Sequence, residues 1–255
     1  MRKPVKSILF NILYGVAAIA VVLAVWAVAA AAVGTEFILP GIPSTFEALF
    51  ELLTEASFWT ALGFTLLRCL LSYAVSVCAF FSVFFLCSAF VSFRRIAEPI
   101  LAALRTLPTL AVSLILALWA GGYYAPVVLG VTVIVPYLYS AITARNSTIP
   151  KELDEVCAIN GANRWRRFAA LQLPYAAAAF PESMSSAFSF NIKIVVSAEI
   201  LVQTASSIGM LMNMSKLYFE TAKLIALVFC TVLVSVAFEL MLKSVLAVVL
   251  KRYRD

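Results

Sequence analysis

The chain has 255 residues, of which 64% are hydrophobic and only 13% charged, with a formal net charge of +6 and no histidine. Soluble globular chains are about a quarter charged, so this composition excludes a soluble domain and makes the lipid bilayer the solvent for most of the chain. There is room for roughly five to seven helical spans of ~20 residues but not for a separate soluble catalytic domain, and the lack of histidine removes the commonest metal ligand and general base.

Met1 to Lys6 is short and basic, and residues 8–33 then run apolar without a charge. The hydrophobic region of a cleavable signal peptide is about 7–15 residues long; this one is much longer, so an uncleaved first span is expected. Residues 35–58 break the pattern with Pro40, Gly41 and Pro43 and the acids Glu36, Glu47, Glu51 and Glu55. They read as an extracytoplasmic loop followed by a short amphipathic helix at the interface. A second span is expected over 60–92, with Arg68 near its outer end, placed to snorkel to the interface, and Phe93-Arg94-Arg95 closing it. A third covers 98–120, Gly121-Gly122-Tyr123-Tyr124 marks a turn, and a fourth covers 125–144. After a polar segment at 145–174 come a fifth span, 175–202, and a sixth, 222–243, before the basic tail Lys251-Arg252-Tyr253-Arg254-Asp255.

Basic residues test this count, because Lys and Arg accumulate in cytoplasmic loops. With the N-terminus inside, the cytoplasmic pieces hold Arg2, Lys3, Lys6, Arg94, Arg95, Arg145, Lys151, Arg164, Arg166, Arg167, Lys243, Lys251, Arg252 and Arg254, most of the 19 basic residues. The loop at 35–58 holds acids and no bases. The expectation is an all-α polytopic membrane protein with six transmembrane helices and both termini cytoplasmic, forming a single membrane domain over 1–255.

The polar segment carries the most specific chemistry. Pro150 cannot continue the fourth helix, since it lacks an N–H and restricts the residue before it. Lys151 to Asn160 then has helical composition, with Glu152, Asp154 and Glu155 near a helix N-terminus that favours negative charge. Gly161 permits a bend or a close backbone approach. Arg164, Trp165, Arg166 and Arg167 follow, and Leu171-Gln172-Leu173-Pro174 leads into the next span, where Pro174 suits a helix start. By composition alone the favoured reading is an interfacial amphipathic connector, its bases holding lipid phosphates and Trp165 in the headgroups.

Other chemistry is thin. The five cysteines form no C-x-x-C pair, and four lie in apolar runs, as small packing residues do. No G-x-x-x-x-G-K-[ST] loop is present, and no glycine is followed by lysine, so nucleotide hydrolysis is not expected in this chain. A membrane-embedded enzyme would need an intramembrane nucleophile with its base, paired aspartates or a metal site. Here both aspartates, Asp154 and Asp255, fall outside the expected spans. Polar residues at bilayer depth are costly and default to functional candidates. They are Arg105 and Thr106 on the third span and Ser185, Ser186, Ser189, Asn191, Lys193 and Glu199 on the fifth. The bland alternative is that the charges balance Glu98, Glu199 or backbone carbonyls and the serines let helices pack closely.

A Glu, a Gly six residues on, then nine residues and an aliphatic-x-Leu-Pro, here Glu155, Gly161, Leu171, Leu173 and Pro174, resembles the cytoplasmic loop signature of ABC importer permeases. The family pattern begins Glu-Ala-Ala, where this chain has Glu155-Val156-Cys157. Ile38-Leu39-Pro40 with Pro43, Thr65-Leu66-Leu67-Arg68, Leu104-Arg105-Thr106-Leu107-Pro108, Leu118-Trp119-Ala120-Gly121, Ala198-Glu199 and Ser207-Ile208-Gly209-Met210-Leu211 are similar to the nitrate/sulfonate/taurine type of permease. The resemblance implies a type I ABC importer permease fold in the bacterial inner membrane. It implies two permease subunits, here expected as a homodimer, two cytoplasmic ABC ATPase subunits that bind ATP and Mg, and an extracytoplasmic solute-binding protein. It also implies that the chain itself holds no cofactor. By that resemblance the segment at 151–174 is the coupling helix region, with Glu155, Ala158, Gly161, Arg164, Leu173 and Pro174 as coupling residues. Arg105, Thr106, Ser189, Asn191, Lys193 and Glu199 become pathway candidates, Lys193 and Arg105 suiting an anionic substrate. The loop at 35–58 and Ser206 to Leu217 become landing surfaces for the binding protein. A permease-like subunit of an exporter or regulatory complex is the alternative.

Overall fold

The structure, a computed structural model, describes residues 5–252, without the side chains of 5–9, 11, 12, 154, 164 and 249–252. Those residues form helices and connecting turns, with no strand among them. The elements are α1 (Val5–Val33), α2 (Ile42–Thr54), α3 (Ala56–Ala89), α4 (Val91–Thr106), α5 (Thr109–Asn146), α6 (Lys151–Ile159), α7 (Arg164–Arg167), a π-helical turn (Phe168–Gln172), α8 (Leu173–Val202), α9 (Ile208–Leu217) and α10 (Thr221–Arg252). Five stretches among the described residues are long and apolar enough to cross a membrane: Leu13–Val33, Ala56–Ala89, Thr109–Asn146, Trp165–Val202 and Thr221–Val248.

The expected third span, 98–120, is not one helix. Leu107 is extended (φ −65, ψ 133) ahead of Pro108, as steric clash with a following proline ring demands. That break separates α4 from the start of α5. The expected turn after this span does form, but inside α5. Gly121 has φ 71 and ψ 164, backbone that essentially only glycine adopts. Val112 and Leu116 before it pack into the same cluster as Leu129 and Val133 after it. In a straight helix Val112 and Val133 would lie about 30 Å apart at 1.5 Å per residue, so the chain reverses at Gly121 into arms 109–120 and 122–146. Likewise the second span closes early: Phe90 is extended (φ −120, ψ 115) and α3 stops at Ala89.

By its internal contacts the chain falls into two compact units. One combines the chain up to Trp59 with Leu211–Cys230, and the other Thr60–Met210 with the chain from Thr231 on. In the first, α1 is exposed along its apolar span, a surface suited to lipid. Its C-terminal end is tied down where Trp26 Nε1 donates to Pro40 O (3.1 Å) and the Trp26 ring lies tilted against Phe229 at 5.8 Å. α2 is the expected amphipathic helix, burying Thr45 and Leu52. Thr221 Oγ1 donates to Phe37 O (2.6 Å), and Lys223 Nζ pairs with Glu55 (2.7 Å).

The second unit is built around α5 and α8, which pack along their length with α3 and α4 beside them. Phe80 and Phe84 of α3, Leu101 of α4, Ile134, Leu138 and Ile142 of α5, Phe168, and Met184 of α8 form its core. Lipid tails are as apolar as leucine, so helices in a membrane associate through close packing and interhelical hydrogen bonds, not through hydrophobic burial. The residues sealed at the helix contacts fit that rule: Ala125, Ala176, Ala187, Ala198, Ser72 and Ser76 are each fully buried.

Candidate functional site

Two sets of residues stand apart from plain packing: the polar loop between α5 and α8, and a buried polar network joining α3, α8 and the turn after α8. In the loop, α5 ends through Ser147, whose N–H donates to Thr143 O (3.0 Å), and Pro150 precedes α6 in extended backbone. α6 carries Glu155 and Ala158, both exposed. Ile159 is 84% exposed and Val156 53%, so the helix offers apolar side chains as well as acids outward. Gly161 ends it at φ +62, with no atom within 4 Å of where a Cβ would stand. The backbone turn, not crowding, is therefore what requires glycine there. Asn163 Oδ1 then accepts from Arg166 N (2.9 Å), starting α7 with a side-chain cap. The Arg164 side chain lies outside the described ones.

The return to α8 passes through the π-helical turn Phe168–Gln172. Pro174 has no N–H to give to the carbonyl four residues back, and its ring crowds that carbonyl; a wider turn just before it relieves both. Leu173 and Pro174 are exposed. What fixes this segment is aromatic. Trp165 lies 5.0 Å from Phe85 and 6.4 Å from Phe168, and Phe168 lies 5.8 Å from Phe84. The trailing half of the loop is thus clamped to the end of α3, whereas α6 itself stays uncovered.

The network has two layers. In the first, Glu199 is fully buried and takes Arg68 Nη1 on one carboxylate oxygen (2.9 Å). It takes Thr65 Oγ1 (2.9 Å) and Gly209 N (3.4 Å) on the other. The other terminal nitrogen of Arg68 donates to Ala205 O (3.0 Å), and its guanidinium lies 4.8 Å from the centre of the Tyr123 ring. Thr65 Oγ1 also accepts from Ile208 N (3.0 Å). Gly209 makes this possible: a Cβ there would sit 2.6 Å from Ile200 N and 2.7 Å from the Glu199 carbonyl carbon. In the second layer, Asn191 Nδ2 donates to Cys69 O (2.8 Å) and its Oδ1 accepts from Ser72 Oγ (3.0 Å). A Cβ on Gly130 would collide with Ser72 Oγ and stand 2.6 Å from Asn191 Oδ1.

Arg68 does not snorkel. It is 2% exposed, because a buried carboxylate, a backbone carbonyl and an aromatic face together replace the water it would otherwise seek. The balancing cation of Glu199 is accordingly Arg68, and Glu98 pairs with Arg94 Nε (2.7 Å). The six pathway candidates do not converge. Asn191 and Glu199 belong to the network, and Ser189, also buried, donates to Ser235 O (3.2 Å). Lys193 is exposed and unpaired among the described residues. Arg105 and Thr106 end α4, both exposed, with the threonine hydroxyl returned to Ala103 O (2.8 Å). Thr65 and Arg68 carry part of the resemblance by sequence, but only the fold shows that they meet Glu199. Trp165 and Phe85 had no such signal.

The profile described as "Binding-protein-dependent transport system inner membrane component" matches residues 86–255, two thirds of the chain. The chain belongs to that family. The match takes in the whole polar loop, Glu199 and Gly209, and leaves Thr65 and Arg68 upstream. The chain is also similar to the riboflavin transport system permease protein RibX of Chloroflexus aurantiacus, being 30% identical over 125 residues. Those residues make up 48% of this chain and 46% of that protein, so the chain matches about half the length of its curated relative. Family and helices together make it a multi-pass membrane protein and a permease component of an ABC transport system.

Proposed function

We propose that this permease component forms the translocation path of an ABC importer in the bacterial inner membrane. It works as one of two identical permease subunits and is driven by a separate ATPase pair that binds ATP and Mg. The loop at 151–174 is the point of coupling and lies in the cytoplasm. The exposed helix α6 carries this reading, because it lies inside the family match, uncovered, between two prolines. Force on such a helix reaches α3 through Trp165, Phe85 and Phe168 and α8 through the turn 168–172. Glu155 orients α6, Ala158 and Gly161 allow close approach of the partner, and Arg164, Leu173 and Pro174 shape the return.

Both termini are cytoplasmic in this reading, and the spans number six. Arms 109–120 and 122–146 then count separately, with α4 completing the third crossing from the cytoplasmic side. A solute-binding protein lands on 35–58 and on 206–217. The cargo is a small solute, either an anion of the nitrate, sulfonate or taurine kind or a vitamin or vitamin precursor, the latter supported by the likeness to a riboflavin permease. The test is ATP hydrolysis and uptake by the reconstituted transporter carrying Glu155→Lys or Gly161→Asp. Both variants should insert normally and lose transport; undiminished uptake in both would overturn the assignment.

A further inference from the structure

Lys193 is placed where an ammonium group is hard to account for. Asn191, two residues before it on α8, bonds to Ser72 and to the Cys69 carbonyl, and Ser72 sits midway along the 34 residues of α3. Two residues of helix rise only about 3 Å, and α8 runs on to Val202, roughly 14 Å beyond Lys193 at 1.5 Å per residue, so Lys193 lies inside the membrane-spanning part of the helix. Unlike Glu199, it is sealed by nothing: the side chain is exposed, with no hydrogen bond or counter-charge among the described residues. A lysine facing lipid at that depth is costly and rare, and from there the head group is too far from the interface to snorkel to it.

Its neighbours on the helix surface say what it faces. Glu182, Ser186, Lys193 and Ser197 fall within about 60° of one another at ~100° per residue. Glu182, Lys193 and Ser197 are exposed and Ser186 half-buried. The opposite side of α8 carries Phe188, Asn191, Val195 and Glu199, all buried. One helix therefore turns a sealed face to its own chain and, apart from Ser189, which is buried at the stripe's edge and donates to Ser235 O, a polar, unpaired stripe outward. Ionisable residues at bilayer depth face the bundle interior or a water-filled cavity, and among the described residues nothing covers Lys193.

We infer that this stripe lines the aqueous part of the translocation path, and that Lys193 is a contact within the membrane for an anionic group of the transported solute, a carboxylate, sulfonate or phosphate oxygen. The inference rests on the pathway role proposed above and narrows it to anionic cargo. Ser186 and Ser197 flank the ammonium with hydroxyl groups that both donate and accept, so an oxyanion on Lys193 finds further hydrogen bonds along the same face. The contact is an ion pair formed in water and released again, as passage requires.

Ser197→Cys and Ser186→Cys in the reconstituted transporter test this. Each is treated with a negatively charged sulfonate methanethiosulfonate and with a positively charged trimethylammonium one, against the five native cysteines as background. Ser197 is four residues from Lys193, a separation of about 5–6 Å on a helix. At that range the ammonium should favour the sulfonate reagent about tenfold over the ratio seen with a free thiol. Lys193→Gln should abolish that preference and Lys193→Arg keep it. If both new cysteines react but the ratio ignores Lys193→Gln, the anion contact is overturned and the path stands. If neither cysteine reacts with either reagent in transporter that still hydrolyses ATP, the stripe is closed against water by a second subunit. The pathway role of this face then fails with the inference.

Discussion

At the scale of single residues, the fold turns on charges and glycines that have one acceptable neighbour. Arg68 and Glu199 stand 131 positions apart and are compatible with the membrane interior only together. Removing one partner of a buried pair leaves an uncompensated charge, at a cost of about 3–5 kcal/mol, whereas replacing both with apolar residues is often neutral. Glu199→Ala should therefore lower the thermal unfolding temperature of the detergent-purified permease sharply. Arg68→Met combined with Glu199→Leu should recover most of the loss. A Glu199→Ala protein as stable as the parent would show that the pair does not form. The same network explains why Gly209 and Gly130 are glycines, since each lies where a Cβ would strike the groups that make these bonds. From the sequence, Gly130 looks like an ordinary small residue on an apolar helix, and Gly209 stands out only through the resemblance of Ser207 to Leu211.

At the scale of elements, the break points follow from local chemistry. Pro108 ends α4, Gly121 reverses α5, Gly161 ends α6, and Pro174 sits just after a widened turn. The turn at Gly121 and the polar loop are legible in the sequence because glycine and proline restrict backbone wherever they occur. That 98–120 is two helices is not, since apolar composition continues through Leu107-Pro108. The aromatic clamp on the loop makes a separate prediction. Trp165 is 46% exposed, so Trp165→Ala should leave thermal stability nearly unchanged while reducing transport and stimulated ATP hydrolysis. Phe168 is 9% exposed and in the core, and Phe168→Ala should instead destabilise by about 3–5 kcal/mol. Equal effects of the two on stability would remove the case for Trp165 as a mechanical link.

At the scale of the whole molecule, both units bury apolar residues, Leu138 and Phe188 in the larger and Leu52, Phe58 and Leu227 in the smaller. The larger seals its polar groups, whereas the smaller also carries polar contacts that are only partly buried. Among these, the hydrogen bond from Lys223 holds the Glu55 carboxyl below its usual value of 4.5. A depressed carboxyl stabilises the folded state fully above its unfolded value and stops doing so as pH falls through the lowered folded one. Amide protection in α2 and the start of α10, after correction for the intrinsic pH dependence of exchange, should therefore fall as pH drops below about 4.5, and Lys223→Met should remove that step; a step that survives the substitution would assign it to another acid. By itself the sequence determined that lipid is the solvent, which segments are helical, and where the exposed loop of the transport family lies, because hydropathy, proline and glycine act locally. Only the tertiary structure decided that Arg68 meets Glu199, that α5 doubles back, and which face of α8 is sealed and which is open. Apolar residues read alike whether they face lipid or protein, so those choices are made by contacts between distant parts of the chain.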